Sequence, residues 1–138
     1  MKFLIGDIGN TSTKLCVLNN DFKILRSYNF ETIKMLKGNI LKTIIRKKIN
    51  KGLNPIFLFS SVVPKVFMNI KKGFKSNKFK FLEIKNLKLN KIIKVKVNKK
   101  QIGSDRLANS LAVINKRKNF IIVDFGTATT FDVVVKDI

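Results

Sequence analysis

The chain has 138 residues, 29 of them Lys or Arg against 8 Asp or Glu, with no His and a single Cys, so its formal net charge is +21. That length is one ordinary domain, and an apolar fraction of 45% is enough to bury a core in spite of the charge. The lack of His excludes His-based acid–base catalysis, His metal ligation and a Ser-His-Asp triad, and the lone Cys16 excludes an internal disulfide or a Cys-x-x-Cys zinc site. No apolar run approaches the roughly 20 residues of a membrane helix. The chain opens Met1-Lys2-Phe3-Leu4-Ile5 like a signal peptide, but Asp7 cuts the apolar run short. It therefore reads as cytoplasmic, with no membrane partner.

In chain order, residues 3–18 carry two apolar runs around a polar turn, and residues 15–18 and 22–30 read as strands that extend this first hairpin. Ile33, Leu36, Ile40, Leu41, Ile44, Ile45 and Ile49 recur at helical spacing, with Thr32 placed as N-cap and Gly52 past the end. The basic group Arg46-Lys47-Lys48 falls in the last turn of that helix, where the dipole favours cations. Residues 56–60 read as a short buried strand, and Pro64 as the opening of a helix of one to three turns. Residues 79–84 and 92–97 are further strand candidates. Residues 104–118 read as a helix with Leu107, Ala108, Leu111, Ala112 and Ile114 on its apolar side. Strands alternating with helices predict an α/β sheet covered by helices.

An internal repeat organises the chain. With Phe3 aligned on Phe120 and no gaps, residues 3–18 and 120–135 share Phe3/Phe120, Ile5/Ile122, Asp7/Asp124, Gly9/Gly126, Thr13/Thr130 and Val17/Val134, six of sixteen positions. Each copy runs apolar strand, Asp-x-Gly, small polar residues, second apolar strand. The repeat predicts a duplicated domain, with residues 1–118 as a complete first copy and 119–138 as the opening hairpin of a second. A second copy of equal length would need roughly another hundred residues, so the chain reads as unfinished. A lone hairpin is marginal, so 119–138 is expected to pack on the first domain or on another chain.

The charge has a plain source. Lys outnumbers Arg 25 to 4, and Ile, Asn and Phe are abundant, as A/T-rich codons produce unaided. Nucleic-acid readers favour Arg for base edges and aromatics for stacking. A solvated basic surface is the expected reading, without a specific nucleic-acid partner. A basic nucleic-acid-binding module stays open as an alternative, and weak polyanion binding follows from charge alone.

The scarce acids carry more information. In Asp7-Ile8-Gly9-Asn10-Thr11-Ser12-Thr13-Lys14, Gly9 supplies permissive backbone angles and close approach for a ligand. Asn10, Thr11 and Ser12 supply donors beside backbone N–H groups that can form an anion nest, and Lys14 adds a positive charge. Asp7 repels phosphate directly, but suits Mg²⁺ or its waters, which then carry the phosphates. A plain polar hairpin turn is the competing reading. The second copy, Asp124-Phe125-Gly126-Thr127-Ala128-Thr129-Thr130, repeats the pattern, and two facing hairpins would enclose a nucleotide's phosphates. Asp124 suits a cation, monovalent or divalent. Asp132 reads as a cation ligand or, slightly preferred, a surface acid. Asp105 stands at a helix N-terminus, where the dipole favours its ionised form. There it can accept the proton of a substrate hydroxyl, while Arg106 offers a planar fork to a substrate carboxylate. A helix-opening Asp beside a surface Arg is the plain alternative.

Together and in order, D-x-G-N-T-x-x-K at 7–14, S-S-V-V-P at 60–64, G-S-D-R at 103–106 and D-F-G-T-A-T-T at 124–130 resemble the type III pantothenate kinases. These belong to the actin/sugar-kinase/heat-shock-chaperone ATPase superfamily, with a ribonuclease H-like, actin-like duplicated fold. The resemblance covers the entire chain but only the N-terminal half or slightly more of a family member. It implies phosphorylation of pantothenate by ATP to 4′-phosphopantothenate, the first step of coenzyme A synthesis, in a homodimer. By position, it implies that Asp7, Gly9, Asn10, Thr11 and Lys14 bind ATP, with Asp7 also reaching Mg²⁺ through water. Thr127 and Thr129 match the second phosphate loop, and Asp124 the ligand of a required monovalent cation, K⁺ or NH₄⁺. Asp105 matches the proposed base, and Gly103, Ser104, Arg106 and Asn98 the pantothenate site. Lys96 replaces a usual Tyr, Lys99 a usual Pro, and Ser104 a common Ala. The absent C-terminal portion carries much of the adenine site, a pantothenate-contacting Thr and part of the dimer surface, so the chain by itself is expected to lack useful activity. A non-catalytic ATP-binding relative such as the Bvg accessory factors, or a sugar kinase of the same superfamily, are the other readings.

Overall fold

In the computed structural model the described residues are 1–36, 43, 53–73, 79–98, 101–115 and 117–136. Five strands, β1 (Lys2–Ile8), β2 (Ser12–Leu18), β3 (Ile24–Glu31), β4 (Leu53–Ser61) and β5 (Lys80–Glu83), form one sheet in the order β3-β2-β1-β4-β5. The first three pair antiparallel, and β1–β4 and β4–β5 pair parallel. Antiparallel neighbours need only tight turns, whereas each parallel pair needs a crossover, and α2 (Pro64–Gly73) supplies the one between β4 and β5.

Alternation along the strands decides which face is buried. Leu4 and Ile8 of β1, Leu15 and Val17 of β2, and Phe57 and Phe59 of β4 point to one face. There they meet Met35 of the short helix α1 (Thr32–Leu36) and Val66 and Ile70 of α2. The rings of Phe79 and Phe81 close this core against Phe57, with centroids 4.9 and 5.2 Å away. The opposite face carries Ile5, Asp7, Lys14, Cys16, Leu58 and Ser60, and α3 (Ser104–Val113) covers its β4 side. Leu58 joins Ile84, Ile102 and Leu107 there in a second, smaller cluster. The fold is thus mixed α/β, as expected. No helix of the described residues is long and apolar enough to cross a membrane.

β6 (Phe120–Phe125) and β7 (Thr129–Val134) form a separate antiparallel hairpin that packs on α3, as expected of a hairpin too small to stand alone. Its far face is apolar and open: Ile121, Val123, Phe125, Phe131 and Val133 are all exposed, Phe125 by 82%.

Three expected elements differ, and a fourth lies mostly outside the described residues. The third strand begins at Ile24, not residue 22, because Phe22 adopts a left-handed φ of 58° and stacks on Phe3 at 5.4 Å. The Asn19 side chain holds that turn by accepting the N–H groups of Asp21 and Lys23. Of the helix expected over 33–49, α1 is described; apart from the helical residue 43, the rest lies outside the described residues, with Arg46-Lys47-Lys48 and Gly52. Residues 92–97 form no strand. β5 is followed by two 3-10 turns (Ile84–Asn86 and Leu89–Lys91) that carry the chain off the sheet, and Val95 packs into the second cluster instead. The helix expected over 104–118 ends at Val113. Beyond it the Asn115 side chain accepts the Arg117 N–H at 2.8 Å, a local bond that competes with helix continuation.

Candidate active site

The carboxyl ends of the parallel strands β1 and β4 lie side by side, the usual place for a ligand crevice in an open α/β sheet. Asp7 stands at that end, between two direct cross-strand neighbours, Lys14 on β2 and Ser60 on β4. Direct neighbours share a face, so all three side chains project on the side that carries α3. Solvent reaches Asp7, yet protein packed around its carboxyl pushes the pKa above the ordinary 3.8. The Ser60 hydroxyl and the Lys14 ammonium oppose that rise, and the carboxylates of Asp105 and Asp124 add to it. The Asp7 carboxyl therefore senses two carboxylates from separate segments, Asp105 and Asp124. The Ser60 hydroxyl is buried without a partner of full hydrogen-bond geometry, so it leans on Asp7 electrostatically.

The turn after β1 is tied on both sides. Gly9 N–H donates to the Ser12 carbonyl at 2.9 Å, and Thr32 N–H donates to the Thr11 carbonyl at 2.9 Å. The Thr32 hydroxyl donates to the Gly9 carbonyl at 2.7 Å and sits 3.0 Å from the buried Thr13 hydroxyl. That hydroxyl secures the turn, correcting its expected role as a cap of α1. Gly9 needs no left-handed φ either: its requirement is space, since a Cβ would sit 3.1 Å from the Ser12 carbonyl oxygen. Asn10, Thr11 and Lys14 are exposed around this turn. The second turn, residues 126–128, meets the first at its tip: Thr11 and Thr127 hydroxyls lie 3.2 Å apart. Thr129 is exposed at the head of β7.

α3 joins both hairpins. Gly103 precedes it in extended conformation, and a Cβ there would overlap the Asp105 carboxylate at 2.2 Å and press Val62 at 3.3 Å. Asp105 folds back over its own helix start and accepts the Arg106 N–H at 2.8 Å. Ser104 turns inward, 1% exposed, and its hydroxyl donates to the buried Glu83 carboxylate of β5. Lys85 donates to the Ile102 carbonyl at 2.8 Å and holds the same approach. Asn98 is exposed, and its carbonyl accepts the N–H groups of Gln101 and Ile102 in the turn leading to α3. One turn into the helix, Arg106 pairs with Asp132 of β7, and Asn109 Nδ2 donates to Asp124 Oδ2 at 3.3 Å. The hydrogen bonds that Arg106 donates to Asp132, and the charge of that carboxylate, raise the guanidinium above its ordinary pKa.

The structure thus brings Asp7, Thr11, Asp105, Asp124 and Thr127 around one crevice. Asp132, expected slightly more as a surface acid, is instead the partner of Arg106, with 11% of its side chain exposed. Glu83 and Asn109 lie outside the sequence motifs, and Ser60 enters only as the first residue of the 60–64 motif, without a role. Asn109 had a usable signal, since it follows Arg106 by three residues and so shares its helix face. Glu83 had none, because its partner Ser104 comes from α3, and the pairing of Ser60 with Asp7 depends on strand register. Among the described residues no group of three or more carboxylates or thiols is placed to hold a metal. An ion at Asp7 or at Asp124 would therefore have to keep water or substrate oxygens in its shell.

The family model described as type III pantothenate kinase matches residues 3–138. Relatives of that name include one from Pelagibacter ubique (strain HTCC1062), 50% identical over 136 residues, covering 97% of this chain and 54% of the relative. Another from Syntrophus aciditrophicus (strain SB) is 33% identical, covering 95% and 54%. One from a Sulfurihydrogenibium species is 35% identical, covering 97% and 56%. The chain spans about half the length of these relatives. With a family match across nearly all of its residues, the chain belongs to the type III pantothenate kinase family.

Proposed function

We propose that the whole protein transfers the γ-phosphoryl group of ATP to the 4′-hydroxyl of pantothenate, opening coenzyme A synthesis. The observation that carries this reading is the meeting of two hydroxyl-bearing turns at Thr11 and Thr127, beside an Asp7 carboxyl that senses Asp105. Asp105 takes the hydroxyl proton as the oxygen bonds to the γ-phosphorus; the bond to the bridging oxygen breaks and ADP leaves with its electron pair. Such transfers depend mainly on positioning and charge stabilisation, so a carboxylate suffices as base. Lys14, Asn10, Thr11, Thr127 and Thr129 hold phosphate oxygens, and Gly9 lets them approach. Mg²⁺, when bound with the nucleotide, neutralises phosphate charge, and Asp7 holds it through water. Asp124, steadied by Asn109, holds K⁺ or NH₄⁺. Arg106 takes the pantothenate carboxylate. Gly103 and Ser104 contribute backbone, since the Ser104 side chain is engaged with Glu83. Asn98 borders the same pocket.

The reading includes two domains, 1–118 and a second that begins at 119, in the actin-like manner. The open apolar face of the β6–β7 hairpin supports it, because such a face is normally covered. A homodimer in the cytoplasm completes it. The test is turnover by the whole protein with and without K⁺, and in Asp105→Asn. Pantothenate phosphorylation that needs K⁺ and falls by at least about a hundredfold in the variant is expected. Unchanged turnover in the variant removes Asp105 as base, and ATP binding without turnover favours a non-catalytic relative.

A further inference from the structure

Arg106 is gripped along one edge. Its Nε donates to both carboxylate oxygens of Asp132, at 2.8 and 3.0 Å. Its Nη2 donates to Asp132 Oδ1 and to the Phe131 carbonyl, the latter at 3.2 Å. Among the described residues Nη1 has no hydrogen-bond partner, and the Arg106 side chain keeps 34% of its surface exposed against 11% for Asp132. A guanidinium is a planar fork that binds carboxylates along an edge. With the Nε edge occupied, the fork cannot rotate, and Nη1 is the nitrogen left to face a ligand.

We propose that Asp132 is a positioning residue: it fixes the guanidinium of Arg106 so that Nη1 meets the carboxylate of the substrate. This rests on the reading of Arg106 given above. A free arginine side chain carries much rotamer entropy, and binding would have to order it. Here β7 has ordered it beforehand. Asp132 also offsets the charge of Arg106, so the substrate is recognised by a directed Nη1–H donor more than by net attraction. The placement depends on pairing. Asp132 stands opposite Ile122 on β6, on the face that carries Asp124, and reaches α3 from there.

The test is a double-mutant cycle in the whole protein, with steady-state kinetics for pantothenate at saturating ATP. Asp132→Ala is expected to raise KM about tenfold with kcat within about twofold, the signature of lost positioning in binding. In an Arg106→Ala background the same change is expected to add nothing further. An unchanged KM in Asp132→Ala overturns the inference. So does an equal rise in both backgrounds, because Asp132 would then act without Arg106. If the alanine variant does not fold, Asp132→Asn replaces it, keeping the shape and one acceptor; a KM equal to wild type there overturns the inference as well. A wild-type protein that turns over no pantothenate brings down the underlying reading, and this is seen before any variant is compared.

Discussion

Ser60 stands directly opposite Asp7 on the neighbouring parallel strand, a buried hydroxyl beside a carboxyl whose pKa is raised. Burial drives the rise; Ser60 and Lys14 limit it. The folded protein therefore holds the Asp7 proton more tightly than the unfolded chain does. Between the ordinary value of 3.8 and the raised folded value the native state binds more protons, so this group's contribution to stability is present at low pH. It is lost as pH rises through the folded value. Asp7→Asn, which cannot ionise, is expected to raise Tm at pH 7, with the gain vanishing as pH falls below 3.8. Thermal unfolding followed across pH 3–8 reads this directly. A variant less stable than wild type at pH 7 would show that the charge is stabilising in place.

The same carboxyl reports on its neighbours. Asp105 and Asp124 each raise its pKa, and Lys14 lowers it. Carboxyl-carbon NMR titration is expected to show the Asp7 pKa falling in Asp105→Asn and in Asp124→Asn, and rising in Lys14→Met. An Asp7 titration indifferent to Asp124 would separate the two hairpins electrostatically and undo the shared crevice.

Gly6 faces the core, where a Cβ would lie 2.3 Å from the ring of Phe59, itself fully buried. That ring packs at 5.6 Å on Phe67 and 6.1 Å on Phe81, so it has little room to yield. Gly6→Ala is expected to cost about 1–3 kcal/mol by overpacking. Urea denaturation measures it, and a loss below about 0.5 kcal/mol would mean that the core can shift.

Ser104 and Glu83 form a buried pair beneath the start of α3. Ser104→Ala leaves a buried carboxylate without that donor and is expected to cost about 1–3 kcal/mol. Hydrogen exchange at the first turn of α3 should rise with it, because the pair is an anchor of that turn. Exchange and stability equal to wild type would show that Lys85 and the Ile102 carbonyl hold the approach unaided.

Much of this molecule was legible in the order of its residues. The apolar runs around Asp7 and Asp124, the helix opened by Pro64 and the helix headed by Asp105 all follow from local rules: alternation, turn chemistry and capping. The face of the β6–β7 hairpin that carries Asp132 was not legible. A gapless repeat aligns Asp132 with Leu15, which lies on the face of its own hairpin opposite Asp7. In the structure Ile8 pairs with Thr13 but Phe125 pairs with Thr129, so the second turn is one residue shorter. A slip of one residue turns a strand over. It brings Asp132 and Asp124 onto the same face, and Asp132 against Arg106.

Sequence alone determined most of the short segments that become strands, turns and helices, the 92–97 segment excepted, and which carboxylates stand at their ends, because those choices are settled largely among near neighbours. The tertiary structure decided what each carboxylate meets. Ser60 reaches Asp7 only through parallel pairing of β1 with β4, Glu83 reaches Ser104 only through the crossover to β5, and Asp132 reaches Arg106 only through the shortened turn. Each of these contacts joins residues distant in the chain. Their energies depend on register and packing, which no local pattern of residues encodes.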